Sequence, residues 1–400
     1  MHHNNNQPNN RYLIISVLLL LAITATAQPR YSHVLKLAEE HSPMLRLAAK
    51  QAEAEKTAAH VGTLLPNPEV EAAYFWGDPA EIGIRWDINV TQSFEMPSVL
   101  VRKARLRNLQ EHAAELNYSV VRKALLLEIQ QECADWIYYH AVWQIYSQHC
   151  AAADRLARLY QRRFETGDCS VLEYNRAQMH HADIQSKAAE VYMQEDHAAH
   201  DLRILVGDEN FSFSQDEYEP IVVEPNFDQW YEQLEMRNPD LRMLANQVDA
   251  SQQRLQLSRA NWLPTISVGY AAENHVGESF RGVKMGLQLP LWSQQRAVRA
   301  ARIEAETAQQ ELETKRERLL EHLHCMFHRH TGLMHNVENL KEALRQYDSQ
   351  EYLMQALEAG EITLEQYLQQ SEFYLEIELQ VWEVSHELEL LHLSLYALEL

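Results

Sequence analysis

Glycine and proline are scarce in this chain, at 11 and 12 of 400 residues, and they gather at a few boundaries. That excludes a fold of many short elements joined by tight turns. From Ser98 to Thr166 neither occurs, and the residues are rich in Ala, Leu, Glu, Gln and Arg, all strong helix formers. From Leu291 to Ala359 only Gly332 interrupts. About 70 residues at 1.5 Å each make roughly 105 Å of helix, far beyond an ordinary globular domain, so both stretches read as coiled-coil-like helices. Cysteine is also sparse: Cys133, Cys150, Cys169 and Cys325 lack the close spacings of zinc ribbons or redox motifs and read as free structural thiols. Basic residues are outnumbered 57 to 35, a net charge of -22, which argues against nucleic acid as a partner. Beyond residue 28 no run of 18 apolar residues exists, so no membrane-spanning helix is available and any insertion must use strands. There is no nucleophile elbow, His-Glu-x-x-His, Gly-rich phosphate loop or paired-carboxylate cleft, which argues against an enzyme and implies no cofactor.

What is present begins with an apolar run, Leu13 to Ile23, preceded by Arg11 and followed by Ala25-Thr26-Ala27. This layout fits a cleaved secretory signal over residues 1–27 better than a short membrane anchor. The residue directly after Ala27 is Gln28 and not Cys, so no lipid anchor at a new N-terminus is indicated.

The rest of the chain says the same thing twice. Phe164-Glu-Thr-Gly-Asp-Cys-Ser-Val-Leu-Glu-Tyr174 answers Leu357-Glu-Ala-Gly-Glu-Ile-Thr-Leu-Glu-Gln-Tyr367, Ser42-Pro-Met-Leu-Arg46 answers Asn238-Pro-Asp-Leu-Arg242, and Leu65-Pro66 answers Leu263-Pro264. Gly167 lies 70 residues after Pro97, and Gly360 lies 70 after Pro290. The chain therefore divides into a first repeat, 28–206, an inter-repeat linker, 207–226, and a second repeat, 227–400. In each repeat a long helix should run antiparallel to two shorter ones stacked end to end, Tyr31–Leu64 and Asp168–Val206 in the first. Each repeat would be a rod, with the chain reversing at Gly167 or Gly360, where glycine tolerates a left-handed conformation.

Between the Leu-Pro marks and the long helices the hydrophobic period changes from 3.6 to 2. Ile82, Ile84, Trp86, Ile88 and Val90 share one face against Arg85, Asp87, Asn89 and Thr91; Val283, Met285, Leu287, Leu289 and Leu291 alternate with Lys284 and Gln288. The preceding strands set Val70, Ala72, Tyr74 and Trp76 against Glu69 and Glu71, and Ile266, Val268, Tyr270 and Ala272 against Thr265, Ser267 and Gly269. That predicts two hairpins, 66–96 and 264–291, with loops near 77–79 and 274–279. Strands of about ten residues with one apolar and one polar face suit a transmembrane barrel, although a half-buried sheet of a soluble domain shows the same alternation. Four strands cannot close a barrel, and open edges are forbidden in lipid, so a barrel requires several copies of the chain. Its lumen would be lined by Glu69, Glu71, Arg85, Asp87, Asn89, Lys284 and Gln288.

In their duplicated order, the Asn/Ser-Pro-x-Leu-Arg marks, Leu65-Pro-Asn-Pro-Glu-Val70, the Gly-acid-x-Ser/Thr tips and Leu205-Val-Gly207 carry a resemblance to the TolC family of outer-membrane efflux ducts, especially its heavy-metal and multidrug branch. The resemblance spans essentially the whole chain after the signal. It implies a mainly α fold with a transmembrane portion: a homotrimer with a 12-stranded barrel in outer-membrane lipid, a periplasmic helical tunnel, and an equatorial region near Asp208 to Pro225 and the C-terminus. It further implies a passive duct for drugs or metal ions, served by a periplasmic adaptor and an inner-membrane pump. By position, Gly167, Asp168, Ser170, Val171, Leu172, Gly360, Glu361, Thr363 and Leu364 would form the adaptor-docking tips. Some members constrict the tunnel with acidic rings six and nine residues beyond the second tip glycine. Gln366 and Gln369 stand there in this chain, and Glu173 and Arg176 stand at the corresponding places of the first tip.

Two other readings remain. Long helices without a duct would make a periplasm-spanning tether, which should lack a polar strand face. A metal-binding periplasmic helical protein would use His322, His324, Cys325, His328 and His330, of which His324 and His328 share a helix face, or His197, His200 and Asp201.

Overall fold

The computed structural model describes residues 30–397 apart from 63–64, 222–225, 276, 293 and 348–349. The signal segment 1–27, the predicted helix end at Leu64 and part of the linker therefore lie outside the described residues.

The first repeat opens with two helices, α1 (Ser32–His41) and α2 (Pro43–Ala59), where one had been expected. Proline disfavours helical geometry in the residue before it, and Ser42 takes φ -57°, ψ 123°. The second repeat breaks in the same way between α5 (Phe227–Arg237) and α6 (Pro239–Ala260). There Asn238 adopts φ -57°, ψ 115° and accepts hydrogen bonds from the amides of Asp240 and Leu241. The two X-Pro marks are thus paired helix breaks, both buried.

The long helix α3 (Pro97–Thr166) runs 70 residues without interruption, followed by α4 (Val171–Val206). In the second repeat, α7 (Gln294–Tyr347) and α8 (Gln350–Ala359) lead to α9 (Leu364–Tyr396). The repeats do not form independent rods. The long helix α3 packs not only on α2 and α4 of its own repeat but also on α6 and α9 of the other. Lys123–Asp240, Asn246 Nδ2 to the Leu109 carbonyl at 2.9 Å, and His149 Nε2 to Glu378 Oε2 at 2.9 Å bridge the repeats. The cause lies in α3 itself, whose buried residues run its whole length from Val99 to Tyr160, more than its own repeat's helices cover.

The largest core gathers α1, α3, α4, the segment after Gly207 and α9 around Leu126, Ile129, Ile137, Leu202 and Val206. Gly207 caps α4 at φ 79°, and a Cβ there would lie 2.5 Å from the His41 carbonyl oxygen, so glycine permits the close crossing of the α1–α2 break. Within this core Arg30 forms a buried ion pair with Glu389, which also accepts a hydrogen bond from the Tyr31 hydroxyl at 3.0 Å. Arg30 further donates to the carbonyls of Glu219 and Pro220, tying the linker to the C-terminal helix.

One antiparallel sheet, in the order β1-β2-β3-β4, extends from the other end of the helices: β1 (Glu69–Trp76), β2 (Ile84–Phe94), β3 (Thr265–His275) and β4 (Glu278–Gln288). Its bounds correct the sequence reading. Ile82 belongs to a short 3-10 turn, because Gly83 at φ 83° closes the loop and Gly77 N donates to its carbonyl at 2.9 Å. The strand β4 begins at Glu278, and the loop predicted over 274–279 is mostly ladder. Leu289 and Leu291 lie beyond the strand, where Pro290 offers no amide to continue it.

Candidate functional site: helical tips and a two-faced sheet

At the far end from the sheet, the two turns are built alike from local hydrogen bonds. Gly167 sits at φ 79°, its amide donating to Phe164 O at 3.1 Å and that of Asp168 to Arg163 O at 2.7 Å. Gly360 sits at φ 77°, with Gly360 N to Leu357 O at 3.2 Å and Glu361 N to Ala356 O at 2.9 Å. Both are Schellman caps, which need the left-handed residue. Each is followed by a capping box. Ser170 Oγ accepts from Glu173 N at 3.2 Å while Ser170 N donates to Glu173 Oε2 at 2.8 Å. Thr363 Oγ1 and Gln366 repeat this at 3.2 and 2.9 Å. The hydrogen bonds from Ser170, backbone first, hold the Glu173 carboxyl below its usual range. Glu173 and Gln366, two of the aperture candidates, thus have a local task in closing the turns. Arg176 reaches across to Glu365 at 3.5 Å, and Gln369 is exposed.

The tips sit side by side and share one apolar cluster, in which Leu156, Tyr160 and Ala177 of the first meet Leu357, Leu364, Tyr367 and Leu368 of the second. Leu364, which the sequence reading set among the expected docking residues, is buried in this cluster. The first tip is the opposite. Phe164 and Tyr174, at the positions of Leu357 and Tyr367, stack outside the cluster at 5.0 Å, and Val171 and Leu172 are 51% and 75% exposed. The sequence shows two similar turns that differ at Glu173 and Arg176 against Gln366 and Gln369; the signal it does not carry is which one nests against the other's flank.

At the opposite end, register sorts the sheet into two faces. Val70, Val90, Tyr270 and Val283 form one cross-strand row, and Glu69, Thr91, Gly269 and Lys284 form the next. Glu71 faces Asn89, Asp87 faces Glu273, Arg85 faces His275 and Gln288 faces Thr265, so all seven proposed lumen residues share the polar face. Arg85 bridges Asp87 and Glu273 at 3.1 and 3.0 Å. The opposite face leaves Trp76, Val283, Met285 and Leu287 largely exposed, and neither β1 nor β4 has an outer neighbour among the described residues.

Residues 230–397 match the family model for outer membrane efflux proteins. Among solved structures, the CmeC outer membrane channel of Campylobacter jejuni aligns at TM-score 0.77 and 13% identity, over 92% of this chain and 84% of that one. The outer membrane protein VceC of Vibrio cholerae aligns at 0.73 and 14%, over 92% and 95%. The open state of the MtrE outer membrane channel of Neisseria gonorrhoeae aligns at 0.72 and 12%, over 92% and 88%. The fold is that of a TolC-type outer-membrane channel. No curated protein matches the sequence.

Within this fold the histidine cluster of α7 divides. His324 and His328 lie on the surface with ring centroids 4.6 Å apart, His324 packing edge-on to Phe227. His330 instead turns inward, where its Nε2 meets His392 Nδ1 at 3.1 Å. His197 pairs with Asp201 at 2.9 Å. No group of three His, Cys, Asp or Glu among the described residues is placed to hold a metal ion, and all four cysteines are free.

Proposed function

We propose that the chain is the outer-membrane channel of a tripartite efflux system, a passive duct rather than an enzyme. Three copies close one 12-stranded barrel in the outer membrane, and their helices form a periplasmic tunnel that receives substrate from an adaptor and an inner-membrane pump. The observation that carries this reading is the sheet. It has one apolar face, one polar face and two unpaired edges, a combination tolerable in lipid only after closure with further copies. The polar face is also what a mere tether should lack. The strands β2, β3 and β4, of 11 residues each, reach about 35 Å, enough to cross a hydrocarbon band of about 25 Å when tilted. Asp168, Ser170, Val171, Leu172, Glu361 and Thr363 surround the adaptor contact, with the exposed first tip offering its apolar part. Glu173, Arg176, Gln366 and Gln369 lie near the aperture, where glutamines attract cations far less than carboxylates do.

Reconstitution tests the reading. The purified protein should run as an oligomer before heating and open stepwise conductances in planar bilayers. Val171→Asp with Leu172→Asp should preserve both while abolishing export in cells. A stable water-soluble monomer that never conducts would overturn the channel, and unchanged export by the double variant would overturn the docking role.

A further inference from the structure

Charge is not spread evenly along this acidic chain. Three stretches adjoin the sheet: 97–110 at the start of α3, 250–264 at the end of α6, and 289–303 leading into α7. Together they hold nine Arg and Lys and no Asp or Glu. Four of the nine are engaged: Lys103 with Glu95, Arg107 with Glu111, Arg254 with Glu304, and Arg102 with the Gln256 side chain. The other five, Arg105, Arg259, Arg296, Arg299 and Arg302, are all exposed, and none meets a carboxylate among the described residues. At 1.5 Å per residue, each lies within about 15 Å of the helix end that joins the sheet.

Two tryptophans mark the same level. Trp262 joins α6 to β3 and is 47% exposed; Trp292 joins β4 to α7 and is 86% exposed. Exposed Trp beside an apolar band is the side chain that settles at a membrane's headgroup layer, which extends about 5–8 Å beyond the hydrocarbon.

We propose that these five arginines form a basic collar that binds anionic phospholipid headgroups of the leaflet facing the periplasm. The proposal rests on the barrel reading above, since the collar borders lipid only if the sheet's apolar face does. Arginine suits the task because its planar fork grips phosphate oxygens in pairs and stays charged at any working pH. The neighbouring acids offset only part of this charge: Glu95, Glu111 and Glu304 are taken up by Lys103, Arg107 and Arg254, while Glu306 lines the same cavity as Arg259 and Arg302. With a Debye length of about 8 Å at physiological salt, carboxylates several turns farther along the helices are screened from the collar. A basic side chain near an anionic surface gains roughly fivefold in binding, so five acting together, even partly, make a large effect.

The experiment compares insertion of the full chain into vesicles of pure phosphatidylcholine and of phosphatidylcholine with phosphatidylglycerol, at low and high salt. Wild type should insert into both, with at least about tenfold better yield or affinity on the anionic vesicles at low salt, and high salt should erase the gain. The variant carrying Arg→Gln at 105, 259, 296, 299 and 302 should insert into neutral vesicles as wild type does and lose the anionic gain. Equal wild-type insertion into both vesicle types overturns the collar and leaves the barrel standing. So does a gain retained by the variant, or a variant that alters only the ion preference of the open channel, which would place the arginines in the lumen. Failure of wild type to insert into either vesicle type sinks the barrel reading itself.

Discussion

His330 and His392 face one another across α7 and α9, both buried, with one hydrogen bond between their rings. Burial, and secondarily the charge of Arg30, pushes the His392 imidazole down to about 3 and that of His330 below its ordinary 6.5. A group whose folded pKa is depressed binds fewer protons folded than unfolded, so stability falls as pH drops below the unfolded value. The loss should therefore set in near pH 6.5 and deepen through pH 5. Thermal melts should show a steeper decline between pH 7 and 5 for wild type than for His392→Leu; identical slopes would show that the pair does not drive it. That histidines would be numerous was plain in the sequence. Which of them would lose water was not, because burial of His330 depends on α9 arriving from 62 residues away.

Among elements, the tips make the clearest case. Gly-acid-x-Ser/Thr prescribes a left-handed cap followed by a capping box using contacts no more than five residues apart, so both turns were legible. Their packing was not, and it separates residues at matching positions. Leu357 is 1% exposed and Phe164 42%. Leu357→Ala should cost about 2–4 kcal/mol through the cavity it leaves. Phe164→Ala should cost less than about 1 kcal/mol, as at an exposed site. Denaturant unfolding of the detergent-solubilised protein would measure both, and equal losses would contradict the nesting of the second tip. Strand bounds show the same division: alternation located the faces, while Gly83 and Pro290 set where pairing starts and stops.

For the whole molecule the two faces of the sheet make opposite predictions at adjacent positions. Val283→Arg places a charge on the apolar face and should reduce insertion by about 2–4 kcal/mol near mid-membrane. Lys284→Glu, on the polar face, should insert normally and shift the channel's ion preference toward cations. Insertion yield and reversal potential in bilayers read the two effects separately. A normal V283R yield, or a K284E channel with wild-type ion preference, would exchange or erase the assigned faces.

Sequence alone determined the periodic features: a chain said twice, a first long helix of about 105 Å, turns at Gly167 and Gly360, and strands with one polar and one apolar face. All of these follow from contacts within a few residues, where side-chain period and cap chemistry suffice. Only the tertiary structure decided how the repeats interleave around α3, which tip is buried, where His330 points, and that the helix ends carrying the arginines of three separate stretches adjoin one sheet. Those outcomes depend on pairings between residues tens to hundreds of positions apart, which local periodicity does not encode.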